Sequence, residues 1–136
     1  MILFVDDEKR YVDNVLEELK LLGREVLFCD GVDMALEQFQ AFRGKIDLIV
    51  CDVMMPHGKS FKPEETEQNR ITGLRFLARV RELGFNRQFV LLTYLEPGRA
   101  PVEETARQYE PCKVIRKREK WSFEIADMIS QLVKHG

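Results

Sequence analysis

The sequence predicts an α/β protein, a doubly wound parallel sheet of five strands with five helices on both faces. Two observations carry the prediction. Five short apolar runs alternate strictly with segments of helical period, and each such step from strand to helix to strand must cross back over the sheet in the right-handed sense. The runs are also continuously apolar, the pattern of strands covered on both faces. A length of 136 residues suffices for one domain with a real core, so a single domain over 1–136 is expected, without a second folded unit.

The strands are expected at Ile2–Val5, Val26–Cys29, Leu48–Cys51, 89–92 and 114–115. Between the first two, Val12, Val15, Leu16, Leu19 and Leu22 recur at helical spacing, and Gly23 supplies the stop. Ala35, Leu36 and Phe39 mark the second helix. Thr72 opens the third, which carries Leu74, Leu77 and Val80 and ends at Gly84. The fourth has the thinnest apolar face, Val102, Ala106 and Tyr109, after a Pro101 suited to a first turn. The fifth, with Ser122 as its expected cap, presents Ile125, Met128, Ile129, Leu132 and Val133.

A net charge of −2 with 45% hydrophobic and 32% charged residues is the profile of a globular protein and not of a disordered or nucleic-acid-coating chain. Cys29, Cys51 and Cys112 are odd in number and each lies in or beside an apolar run, which predicts neither disulfides nor a zinc site and suits a reducing cytoplasm. No apolar stretch reaches the ~18 residues of a membrane helix, and no basic leader opens the chain. The basic run Lys113, Arg116, Lys117, Arg118 and Lys120 lacks interleaved aromatics beyond Trp121, so it reads as a solvated face and not as a nucleic-acid surface.

In open sheets of this kind the functional crevice lies beyond the carboxyl ends of the strands. There the first run ends in Asp6, Asp7 and Glu8 and the third in Asp52. Carboxylates converging on one rim repel one another, and an all-oxygen donor set without His or Cys favours a hard cation such as Mg²⁺. A lone acid after a strand has a simpler use: Asp7 or Glu8 could cap the next helix. The fourth run adds the hydroxyl of Thr93 and the fifth the ammonium of Lys117. Acids, a hydroxyl and a lysine together are what an aspartyl phosphate requires.

Asp6-Asp7, Asp52-Val53-Met54-Met55-Pro56, Thr93 and Lys117, in this order and each at a strand end, resemble the receiver domain of two-component response regulators over nearly the whole chain. The resemblance implies a flavodoxin-like strand order of 2-1-3-4-5. It implies Asp52 as phosphoacceptor, and Mg²⁺ (or Mn²⁺) held by Asp7 and Asp52, by Asp6 mainly through water, and by the Met54 backbone carbonyl. Thr93 and Lys117 would contact the phosphoryl group. The implied partners are a histidine kinase or phosphotransfer protein, a downstream protein, and a second copy docking through the fourth helix, fifth strand and fifth helix. The expected role is signalling without a separate substrate, with no nucleic-acid or membrane partner and no output domain of its own.

Several positions depart from that pattern. The Gly that opens the third helix is Gly73, which leaves a polar insertion at about 57–71, expected as a surface excursion. It reads either as a lid or recognition loop or as a tolerated insertion, with His57 expected in solvent. Arg118 replaces the usual Pro after Lys117, and a cis bond there would cost about 2.5–4 kcal/mol, so trans is expected, with Lys113 as a rival for the lysine role. Tyr94 stands where a small residue is usual, and Val114 where an aromatic is, so coupling through a rotating ring is not expected. Trp121 reads as an anchor for the last helix or as an exposed docking contact. Two rival functions remain: a phosphorylation-independent docking or dimerisation module, and a phosphohydrolase, the latter disfavoured because Met54 occupies the place of its general acid.

Overall fold

The apolar runs become strands and the periodic segments helices, in the expected alternation. The computed structural model describes residues 1–133. In chain order these are β1 (Ile2–Val5), α1 (Lys9–Leu21), β2 (Val26–Cys29), α2 (Val32–Ala41), β3 (Leu48–Cys51), α3 (Thr72–Glu82), β4 (Gln88–Thr93), α4 (Val102–Gln108), β5 (Cys112–Arg116) and α5 (Ser122–Val133). The strands form one parallel sheet in the order β2-β1-β3-β4-β5. β4 and β5 are longer than their apolar runs because the ladder between them pairs Cys112 with Phe89 and carries on to Arg116 opposite Thr93.

Alternate strand residues feed two separate cores. Leu3, Val5, Ile49, Cys51, Phe89 and Leu91 pack with α2, α3 and α4, while Ile2, Phe4, Leu48, Val50, Val90 and Leu92 pack with α1 and α5. Burying both faces of a parallel sheet is why these runs carry no polar residue. The three cysteines are free, Cys29 and Cys51 inside the core. Among the described residues no helix is long and apolar enough to cross a membrane.

Thr72 opens α3 as expected, and its hydroxyl donates to the Met55 carbonyl at 2.5 Å, tying the helix to the end of β3. One helix start differs from expectation: Ser122 is the first residue of α5 and not its cap, and Glu124 turns back to accept the N–H of Trp121 at 3.0 Å. Trp121 is no anchor, since 73% of its surface is exposed.

The segment 57–71 is more than a surface excursion. Most of it is exposed, but Phe61, Thr66 and Ile71 are buried, and Phe61 joins the α2–α3 side of the core with the Arg79 guanidinium 4.9 Å over its ring. One aromatic and one branched aliphatic in an otherwise polar segment are enough to pin it, because each recovers about 1.5–3 kcal/mol of burial. Asp33 in the first turn of α2 accepts the Lys59 N–H (3.0 Å), the Ser60 N–H (2.9 Å) and the Ser60 hydroxyl. Gly58, at φ +62, passes so near that a Cβ would lie 2.6 Å from that carboxylate. Glu67, Gln68 and Asn69 all take positive φ (50, 59 and 73), a turn held by the Asn69 N–H to Thr66 Oγ1 (3.1 Å) and the His57 N–H to Asn69 Oδ1 (2.8 Å).

Candidate functional site

Strand direction gathers the polar residues. β1, β3, β4 and β5 run parallel, so the residues that close them, Asp6, Asp52, Thr93 and Lys117, come to one edge of the sheet. Asp6 is buried, with Oδ2 2.9 Å from Lys117 Nζ and Oδ1 accepting the Glu8 N–H at 2.9 Å. Asp52 Oδ2 lies 3.8 Å from the same ammonium, and its Oδ1 accepts the Val53 N–H at 2.8 Å. Asp7 is more exposed, yet it offers a carboxylate oxygen within 4.8 Å of those of Asp6 and Asp52. Neither Asp7 nor Glu8 spends its side chain on capping α1, which removes the simpler reading of these acids.

Electrostatics single out Asp52. Burial pushes its carboxyl up to about 7, Asp6 and Asp7 push in the same direction, and Lys117 opposes them. Burial and the charge of Asp6 also raise Asp7. One ammonium therefore serves a cluster of three acids. The donor set is oxygen only, concave and under-neutralised, which fits a hard divalent cation held by Asp6, Asp7 and Asp52.

A cavity of about 420 Å³ opens over Asp52, walled by Asp6, Tyr11, Tyr94, Lys117 and Arg118 among others. The ring of Tyr94, 43% exposed, lies 4.7 Å from Lys117 Nζ. Lys117 reaches the acids from a single 3-10 turn after β5, and its bond to Arg118 is not among the cis peptides. Lys113 is exposed in mid-strand, away from the cavity lining. His57 Nδ1 lies 2.6 Å from the Gly58 carbonyl, and the residue does not line the cavity. The Met54 side chain points to solvent, 48% exposed, in the turn that follows Asp52.

Thr93 is the site residue that the structure holds apart. It is buried at the end of β4, but its Oγ1 accepts the Leu95 N–H at 3.0 Å and it does not line the cavity. Gly73 is closer to the chemistry than its place in a helix suggests: its N–H donates to the Val53 carbonyl at 2.8 Å, and a Cβ there would lie 1.9 Å from the Asp52 carbonyl oxygen. α3 thus begins in direct contact with the turn that carries Asp52. The basic run is not a solvated face throughout, since Lys117 is buried and the Arg116 side chain is only 12% exposed.

Neither a family model nor a curated protein matches the sequence. Solved structures do match, over nearly the whole chain. A response regulator protein from Thermotoga maritima, solved in complex with Mg(2+)-BeF, is 26% identical at a TM-score of 0.68, covering 96% of this chain and 96% of that one. A response regulator receiver protein from Pseudoalteromonas atlantica superposes at 0.74 with 12% identity, over 98% and 97% of the two chains. A receiver domain from Clostridium thermocellum gives 0.71 with 19% identity over 98% and 94%. The fold is that of response regulator receiver domains.

Three features of this chain pack near or border the site: the segment 57–71 pinned by Phe61, the Tyr94 ring at the cavity wall, and Arg118 in the cavity lining. Tyr11, half-exposed on α1, was not singled out in the sequence, where it is one polar aromatic on the solvent side of an amphipathic helix. Its only signal is position, one turn after Asp7.

Proposed function

We propose that the chain is a single receiver domain, spanning 1–136, that accepts a phosphoryl group on Asp52 in two-component signalling. The observation that carries this reading is the half-buried Asp52 carboxylate lining an open cavity, with the Lys117 ammonium 3.8 Å away and two further carboxylates beside it. A carboxylate oxygen of Asp52 attacks phosphorus of a phosphohistidine, the P–N bond breaks, and its electron pair leaves on the imidazole. Lys117 pairs with the incoming phosphoryl oxygens, Thr93 donates a hydrogen bond to one of them, and the Val53 N–H orients the attacking carboxylate. Asp7 and Asp52, with Asp6 mainly through water and the Met54 carbonyl beside them, would hold Mg²⁺ (or Mn²⁺), which when bound would supply the positive charge that offsets the acids and the incoming phosphoryl group. The donor is a histidine kinase or phosphotransfer protein inside the cell. The response passes to a downstream protein, or to a second copy, through the surface of α4, β5 and α5. The domain acts on no separate substrate.

The test is incubation with Mg²⁺ and acetyl phosphate or beryllofluoride. A single adduct, absent from Asp52→Asn, supports the reading, and a chain that takes up neither reagent refutes it. Two observations favour a second reading, a docking or dimerisation module that works without phosphate: the Tyr94 ring beside Lys117 and the Thr93 hydroxyl engaged by Leu95. That reading predicts unchanged partner binding in Asp52→Asn. Hydrolysis of added phosphomonoesters is not expected, because Met54 offers no general acid where such a mechanism needs one.

A further inference from the structure

Arg116, the last residue of β5, is the most enclosed arginine contact near the site, and it touches none of the acids. One guanidinium nitrogen donates to the Leu95 carbonyl and the other pairs with Glu103 Oε2 in the first turn of α4. The same Leu95 donates its N–H to Thr93 Oγ1 at 3.0 Å. A continuous chain therefore runs from the Thr93 hydroxyl through the two polar groups of Leu95 to Arg116 and on to Glu103. Lys117 follows Arg116 directly and contacts Asp6 and Asp52. Val114, half-buried in the same strand, has no ring whose rotation could do this work.

The energetics favour a two-state clasp. A guanidinium fork satisfied by a carbonyl and a carboxylate makes charge-assisted bonds, and leaving it half-satisfied in a partly buried place is costly. α4 has only seven residues, of which Val102 and Ala106 are buried, so packing alone holds it weakly. A turn of the Thr93 side chain toward Asp52 would give up the bond from the Leu95 N–H.

We infer that Arg116 is a positioning residue that carries the state of the Thr93 hydroxyl to α4, by clasping the Leu95 carbonyl and Glu103 only while that hydroxyl holds the Leu95 N–H. This rests on the receiver reading for its trigger and not for its wiring. When Thr93 turns toward a phosphorylated Asp52, Leu95 is released, the fork loses its carbonyl, and the start of α4 loosens.

Hydrogen exchange of the full chain tests both parts. Without any phosphoryl group, Thr93→Ala and Arg116→Met each raise amide exchange over Val102–Gln108 by about five-fold, and the double variant by no more than either, because the links act in series. Arg116→Lys, which keeps the charge without the fork, gives an intermediate value and guards against a fold lost to the larger change. Multiplicative effects in the double variant, or no change in either single one, overturn the inference. With Mg²⁺ and beryllofluoride, the unsubstituted chain shows the same rise over α4 and Arg116→Met shows less than about a two-fold further change. An undiminished response in Arg116→Met also overturns it. Failure of the unsubstituted chain to bind beryllofluoride refutes the phosphoacceptor reading, while the exchange cycle still decides whether the wiring exists.

Discussion

Removing the charge of Asp52 is expected to stabilise the fold while abolishing the proposed chemistry. The carboxyl is raised by burial and by Asp6 from its ordinary 3.8 to about 7. That is roughly 3 pH units at ~1.36 kcal/mol each, so ionising Asp52 at alkaline pH costs the folded state at most about 4 kcal/mol. Lys117 at 3.8 Å is already counted in that value, and local relaxation reduces it, so Asp52→Asn is expected to gain about 1–3 kcal/mol at pH 8. The sign follows from proton binding. A carboxyl whose folded value is raised leaves the folded state holding more protons than the unfolded one between pH 3.8 and about 7, so stability falls as pH rises through that window. The gain from Asn should accordingly shrink to under about 1 kcal/mol at pH 4. Urea denaturation of both proteins at pH 4, 6 and 8, in the presence of a chelator, measures this. An Asp52→Asn protein no more stable than the parent at pH 8, or a gain independent of pH, would show that the acid cluster is not under the strain argued here. Saturating Mg²⁺ should erase most of the difference, because only the parent binds it with a full set of acids.

Further expectations concern the surroundings of Asp52 and the segment 57–71. Gly73→Ala places a Cβ 1.9 Å from the Asp52 carbonyl oxygen, which forces β3 and α3 apart and should cost about 2–4 kcal/mol in urea denaturation; a loss within experimental error refutes the close approach. Tyr94→Ala should be labelled by acetyl phosphate several-fold faster than the parent, since the ring walls the cavity and lies over Lys117; equal or slower labelling counts against a gate. The Ser60 hydroxyl, and then the Lys59 N–H, hold the Asp33 carboxyl below its ordinary 3.8. Its support of the loop is thus complete above about pH 4 and fades as pH falls through the lowered value. Asp33→Ala should expose 57–71 to limited proteolysis at neutral pH, with a global cost under about 1 kcal/mol because the pair faces solvent; an unchanged cleavage rate refutes the tether.

Much of the architecture was legible because burial on both faces of a parallel sheet leaves a mark on every strand residue. Leu48, Ile49, Val50 and Cys51 have no polar neighbour among them, and the acid that follows, Asp52, is at the rim by necessity. The same logic located Asp6, Thr93 and Lys117. Segment 57–71 was harder to read. Its charge balance indicates solvent, and what holds it, Phe61 in the core and Asp33 from another helix, is separated from it by sequence or hidden in a polar run. Trp121 stood open between an anchor and an exposed contact, since a large ring before an amphipathic helix serves either, and only its 73% exposure decides for the second.

The sequence by itself determined the parallel α/β sheet and which carboxylates, hydroxyl and lysine reach its carboxyl edge, because strand period and strand polarity are local properties of the chain. Only the tertiary structure decided that Lys117 and not Lys113 meets Asp6, that the Thr93 hydroxyl rests on Leu95, and that Arg116 turns inward to α4. Those are choices of side-chain direction among partners more than twenty residues apart in some cases, set by packing and by the satisfaction of buried polar groups, and no periodicity records them.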